Sequence, residues 1–169
     1  MPYNANTELI ITETANELIS LIDTLEKLRK EMNRIASQLP EYPAVLSLHG
    51  VGTTLGPQLI AEIGDVRRFH NRKALIAYAG IDSSPYQSGT IDIKCRGISK
   101  RGSASLRKTL FTVMDCILRH KHTDEPVYQF LDKKRTEGKH YYVYMIAGCN
   151  KFLRIYYARV SEYLNSLEK

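Results

Sequence analysis

A chain of 169 residues with 43% hydrophobic and 25% charged side chains can bury one real core without metal or disulfide help. Its formal net charge of +6 and pI near 9.2 favour an anionic partner, of which nucleic acid is the commonest. Cys95, Cys116 and Cys149 form no CxxC pair, which argues against a zinc site or a disulfide frame, and no apolar run approaches the roughly 20 residues of a membrane span. With no signal peptide at its start, the chain is expected to be soluble and cytoplasmic, without a membrane partner.

The first segment, 1–40, carries the clearest period. Ile11, Leu18, Leu25, Met32 and Leu39 recur every seven residues, and Leu21, Leu28 and Ile35 interleave with them, with Thr14 the one polar break. An a/d heptad of about four repeats predicts a coiled-coil helix that pairs subunits into a homodimer or a higher oligomer. Glu17, Arg29 and Glu31 flank the seam. The alternative is an amphipathic helix packed on its own domain. Pro40 and Pro43 end the helix in either case.

The remainder, 41–169, reads as a mainly α domain with one short β-hairpin. In Leu46 to Asp65, Gly50 and Gly52 bracket Val51 between two apolar segments, the second running from Thr54 to Ile63 and stopping at Gly64. This is the pattern of a helix-hairpin-helix. The glycines admit a tight turn, and the turn and helix N-terminus offer backbone N–H groups to a phosphate without reading sequence. Gly50, Gly52, Thr53 and Thr54 are therefore candidate DNA contacts, and an αα-turn that merely packs is the alternative. Asn71 caps a short helix ended by Gly80. Pro85 and Gly89 then break helix, and the alternating Ile91 and Ile93 suggest the hairpin. Past Gly102, Leu106, Leu110, Val113 and Ile117 form one helical stripe. A shorter helix follows, entered through Pro126 and ended by Gly138. A last helix from Tyr141 to Leu164 places Met145, Cys149, Phe152, Tyr156, Val160 and Tyr163 on a core stripe. Tyr141, Tyr142 and Tyr144 fit the same core better than a base-stacking platform.

The stretch 83–108 is unusual. From Ile93 to Met114 there is no acidic residue, while Lys94, Arg96, Lys100, Arg101, Arg107 and Lys108 fall there. Gly97 and Gly102 leave backbone free to approach a ligand, and a helix N-terminus follows, so the loop resembles a phosphate cradle in kind. The GxxxxGK[ST] spacing of a nucleotide loop is missing. These six cations are candidate DNA contacts, and a solvated charged face is the alternative. Ser88, in a Ser-Gly pair beside the loop, could attack phosphorus if those cations stabilise the charge that builds on the phosphate oxygens. A turn serine is the plainer reading, and Ser83, Ser84, Ser99, Ser103, Ser105 and Tyr86 compete for the role. Glu62, Asp65, Asp82 and Asp92 are too scattered for a two-metal site. No HExxH occurs, and His120 and His122 sit at a helix end, so no metal ligands are assigned.

Gly50-Val51-Gly52, the "AEIGD…RF" block from Ala61 to Phe69, "AYAGI" from Ala77 to Ile81, "QSG" from Gln87 to Gly89 and "ISKRG" from Ile98 to Gly102 follow one another at close spacing. In this order they resemble the C-terminal, serine-bearing domain of the IS-one-ten family of insertion-sequence transposases. Residues 1–40 are similar to that family's coiled-coil linker. The resemblance implies a recombinase that excises and inserts mobile DNA through a covalent 5′-phosphoserine link, with the catalytic serine falling on Ser88. It also implies a bridge RNA as guide in at least some members. A RuvC-like domain with a DEDD acidic set is expected to hold a divalent metal. Nothing before residue 46 could supply that domain, so the chain is expected to be a piece or remnant, without a cofactor of its own and inactive alone. A non-catalytic helix-hairpin-helix module for DNA or RNA, and a coiled-coil assembly domain with an incidental basic face, are the other readings.

Overall fold

The computed structural model describes residues 4–82 and 97–168, together with the backbone of 87–88 and 91–92. Among these the chain is mainly helical. The helices are α1 (Ala5–Ala36), α2 (Tyr42–Leu46), α3 (Leu55–Ile63), α4 (Arg72–Ala79), α5 (Ala104–His120), α6 (Pro126–Thr136) and α7 (Tyr141–Leu167), with one 3-10 turn at Val66–Arg68. Two strands of two residues each, β1 (Gln87–Ser88) and β2 (Ile91–Asp92), pair antiparallel, with Gln87 opposite Asp92 and Ser88 opposite Ile91.

Local chemistry sets most boundaries. Asn71 accepts a hydrogen bond from the Ala74 N–H at the start of α4, and Gly80 ends that helix in the left-handed region at φ 66°. Ser103 caps α5 through the Leu106 N–H, and Glu125 caps α6 through the Tyr128 N–H with Pro126 just inside the helix. Lys121 ends α5 with φ 51°, a left-handed residue where glycine is the usual choice. Pro43 does not end α1. That helix stops at Ala36, and Pro43 lies in the first turn of α2.

The core is organised by α7, which packs against α2, α4, α5, α6 and the 3-10 turn. Met145, Cys149, Phe152, Tyr156 and Val160 all lie inside, as the periodicity predicts. Leu106, Leu110, Val113 and Ile117 bring the inner stripe of α5 against them. Burial pushes the Cys149 thiol up to about 12, so it packs as a small apolar group. The tyrosines divide. Tyr144 is buried, whereas Tyr141 and Tyr142 are exposed, contrary to the expectation that all three belong to the core. The stripe passes through Tyr144 and Met145, and the first turn of α7 extends beyond the elements that could cover it.

α1 behaves differently. Its C-terminal Ala36 enters the core and its main neighbour is α3. Beyond that foot the heptad residues face solvent, with Leu18 56% and Leu25 51% exposed. Over most of its length the helix leaves its seam uncovered, while near its foot Met32, Ile35 and Leu39 border a recess with Pro57 and Ile60 of α3.

Gly80 and Gly102 are sterically required. A Cβ on Gly102 would lie 1.9 Å from the Tyr78 carbonyl oxygen, and one on Gly80 would lie 2.6 Å from the Gly102 nitrogen. Gly52 is the opposite case, since a Cβ there meets nothing within 4 Å. Gly102→Ala is therefore expected to destabilise the fold by about 3 kcal/mol or more, through forced backbone displacement, and Gly52→Ala by less than about 1 kcal/mol. Urea unfolding of both variants beside the parent checks the contrast. Equal midpoints for the two would show that the Gly80–Gly102 contact is not tight in solution.

Candidate nucleic-acid interface

The turn between α2 and α3 is built on Gly50 and Val51. Gly50 has φ 77°, and a Cβ on it would meet Ile117 Cγ1 at 2.6 Å, so glycine is required there by both conformation and space. Val51 is buried, and its N–H donates to the Leu48 carbonyl. These two residues fix the inner side of the turn. Gly52, Thr53 and Thr54 stand outside and are exposed. Gly52 is not needed for the turn itself, which corrects the equal weight that the sequence gives the two glycines. Thr54 precedes α3 without a side-chain capping bond. The Gly56 N–H donates to Gly52 O at 2.8 Å and Pro57 has no N–H, so Leu55 is left to supply a first-turn donor that has no acceptor in the helix.

The cationic loop is held by backbone hydrogen bonds and by a few side-chain bonds. Lys100 N–H donates to Gly80 O at 3.0 Å, Ser103 N–H to Tyr78 O at 2.7 Å and Ser99 N–H to Asp82 O at 2.9 Å. Ser99 also donates its hydroxyl to Asp82 Oδ1 at 2.5 Å. Gly102 uses its small size to press on α4, so its freedom serves packing and not the approach of a ligand. Gly97 is exposed, and a Cβ there meets nothing. Lys100, at φ 55°, and Arg101 are carried outward and exposed. Lys108, one turn into α5, is exposed as well.

Arg107 differs from its neighbours. It is half-buried, and its Nη1 donates to the carbonyls of Ala79, Gly102 and Ser103 at 3.0, 3.1 and 3.2 Å. That nitrogen ties α5 to the loop and to α4. Lys94 and Arg96 lie outside the described residues, and so do Ser83, Ser84 and Tyr86. Ser88 is described through its backbone alone, in β1 opposite Ile91.

The structure brings the turn and the start of α5 to one recess of about 460 Å³, bordered by Thr54, Leu55, Glu62, Ser105, Lys108 and Arg29. Ser103 closes one side of the same region, donating its hydroxyl to Glu62 Oε2 at 2.9 Å. A smaller recess places Arg29 and Lys30 of α1 beside Thr53 and Thr54. These two cations are missed as site residues when the sequence is read for a coiled coil, where Arg29 is only a seam flank. The signal was present in the run Lys27, Arg29, Lys30 and Arg34 near the end of α1.

On the far side of the turn, His49 and His122 have ring centroids 5.3 Å apart, and His120 and His122 stack at 6.2 Å. All three are exposed, and His120 Nδ1 lies 2.7 Å from the Cys116 carbonyl oxygen. Among the described residues no three His, Cys, Asp or Glu side chains are placed to hold a metal ion. The family resemblance places its divalent metal in a RuvC-like domain, and no chemical step is derived through one. No helix of the described residues is long and apolar enough to cross a membrane.

Comparison with known proteins assigns the stretch from α2 to α6 to a family. The chain is similar to the transposase for insertion sequence element IS1111A of Coxiella burnetii, with 30% identity over 104 residues that make up 62% of this chain and 28% of that protein. It is similar to the y4rJ protein of Sinorhizobium fredii, with 40% identity over 84 residues, 48% of this chain and 21% of the relative. It is also similar to the insertion element IS900 uncharacterized 42 kDa protein of Mycobacterium paratuberculosis, with 29% identity over 120 residues, 70% of this chain and 29% of that one. The matched stretch thus spans less than a third of each relative's length. Residues 42–129 match the transposase IS116/IS110/IS902 family, from α2 through the turn and the cationic loop into α6. With more than half of its length in that match, the chain belongs to the IS116/IS110/IS902 family of transposases.

Proposed function

We propose that this chain is the DNA-gripping, serine-bearing part of a transposase that excises and inserts mobile DNA, and that it works as a dimer or higher oligomer joined along α1. One arrangement carries the reading. Within the family match, Lys100, Arg101 and Lys108 stand exposed around the start of α5 on a backbone-anchored loop, with no acidic residue from Ile93 to Met114. The turn at Gly50–Thr54 acts as the helix-hairpin-helix element and offers N–H donors to a neighbouring phosphate. Arg29 and Lys30 extend the same tract onto α1. Lys94 and Arg96 belong to it by their place in the sequence.

Ser88 is the proposed nucleophile. Its hydroxyl oxygen attacks a DNA phosphorus, forming a P–O bond to serine while the bond to the 3′ oxygen breaks. The serine proton leaves to a base, and the departing 3′ oxygen takes up a proton. The product is a 5′-phosphoserine link and a free 3′ hydroxyl. The reverse attack by a 3′ hydroxyl rejoins a strand without an external energy source, because the phosphoester is conserved. Nearby cations favour the step by stabilising the charge that develops on the phosphate oxygens.

Four measurements test these parts. Lys100→Met, Arg101→Met and Lys108→Met are each expected to flatten the slope of log affinity for duplex DNA against log salt by roughly 0.9 per lost contact, on many sequences alike. Arg107→Met should instead cost about 1–3 kcal/mol of folding stability by leaving buried carbonyls unpaired. Slopes unchanged in all three exposed variants would return the loop to a solvated face. In a transposase of the relatives' full length, Ser88→Ala should abolish a protein–DNA adduct on a denaturing gel while DNA affinity stays nearly constant. Ser99→Ala and Tyr86→Phe should retain the adduct, and its survival in the Ser88 variant would move the chemistry elsewhere. Finally, replacing Leu25 and Leu28 together by Lys should place charge in the seam and reduce the mass seen by light scattering to that of one chain. A parent that is already monomeric would remove the proposed pairing.

A further inference from the structure

The start of α7 exposes aromatic surface that the domain does not use. Tyr142 is 60% exposed, and Tyr141 and Val143 beside it are exposed too. The rings form a connected set. Phe111 of α5 lies 6.5 Å from Tyr142, His140 stacks on Tyr142 at 5.8 Å with 30° between the planes, and Tyr141 meets Tyr142 edge-on at 5.3 Å. Tyr141 is pinned from behind. Its hydroxyl donates to Asp115 Oδ1 at 3.3 Å, and its ring stands edge-on to the buried Tyr144 at 5.5 Å. Burial first, and then the Asp115 carboxylate, raises its hydroxyl above the ordinary tyrosine range. Tyr142 is thus held by aromatic neighbours on two sides, on a helix whose next turn is core, with much of its surface open.

The charge around the patch selects its occupant. Lys108 precedes Phe111 by three residues on α5, which puts the two on one helix face. Lys139 precedes His140 and is exposed. Asp115, a carboxylate beside the patch, accepts from the Tyr141 hydroxyl. Lys108 also borders the recess beside Thr54, so the aromatic patch is continuous with the cationic tract. Rings bordered by cations match a strand whose bases are unpaired, because every base has a face to stack and a phosphate to neutralise. A duplex hides those faces.

We infer that His140, Tyr142 and Phe111 form a stacking platform for single-stranded DNA, with Lys108 and Lys139 holding the phosphates on either side. The inference rests on the nucleic-acid reading above and assigns it a second, unpaired form of the substrate. Strand exchange makes such a form, since a nicked strand has to leave its partner before it joins another.

The test uses this chain with three probes of equal length: single-stranded DNA carrying one 2-aminopurine, the same sequence as duplex, and its RNA counterpart. Binding of the parent to single-stranded DNA should quench the 2-aminopurine. Tyr142→Ala should weaken that binding by about 5- to 150-fold, the range of one base–aromatic stack, and abolish the quench. Tyr142→Phe should restore both, and duplex affinity should move by less than about twofold. A thermal melt by circular dichroism should be unchanged, because the side chain is mostly outside the core. Parent-like binding of single-stranded DNA by Tyr142→Ala, or an equal loss for duplex and single strand, overturns the platform. Quenching confined to the RNA probe overturns its assignment to DNA. If the parent binds no DNA form at low salt, the nucleic-acid reading falls and takes the platform with it. If duplex binding and its salt slope persist while Tyr142 has no effect, the platform falls alone.

Discussion

The contact of two glycines holds this domain's charged surface in place. Gly80 and Gly102 approach so closely that neither tolerates a side chain, and the short distance lets the Tyr78 and Gly80 carbonyls accept from Ser103 and Lys100. Arg107 adds three more bonds to carbonyls at the same seam. Mutual repulsion among cations would spread an untethered loop. Here the backbone at the end of α4 supplies the restraint, and the side chains of Lys100 and Arg101 remain exposed to solvent. The α5 cap at Ser103 follows directly, so loop position and helix start are one structural event.

That tether connects packing to chemistry. A phosphate grip works through fixed donors and cations whose positions are set before the ligand arrives. The turn at Gly50 is fixed from inside by Val51 and Ile117, and the loop by Gly80. Both are anchored to α5, at opposite ends: Ile117 near its C-terminus and Ser103 at its N-terminus. α5 therefore sets the separation between the two polar regions, and α7 beneath it sets the position of α5. A core substitution that tilts α5 would be felt at both.

Most of the helical architecture was legible because its signals are local. Asn71 and Gly80 bound α4, Pro126 opens α6, and the stripe of Leu106, Leu110, Val113 and Ile117 turns inward as its period requires. The roles of individual glycines were not legible. Gly50, Gly52, Gly97 and Gly102 look alike in sequence, and only tertiary neighbours distinguish the two that are crowded from the two that are open. The packing role of Arg107 was not legible for the same reason, since carbonyls from three residues meet at its guanidinium. Tyr142 was absorbed into a core stripe because a helix's period says which side chains share a face but not where the covering elements stop. The joining of Arg29 and Lys30 to Thr53 and Thr54 depends on the crossing of α1 over α3, which no local pattern encodes.

The length of α1 has a mechanical consequence. Thirty-two helical residues make a rod of about 48 Å, anchored at one end through Ala36 and α3. Its foot, Ser37 to Glu41, is a short non-helical joint. Such a rod works as a lever arm: a swing of about 10° at the joint carries the far tip about 8 Å, more than one helical turn. Small adjustments where α1 meets α3, on the side where Arg29 and Lys30 face the turn, are thereby magnified at whatever the tip engages.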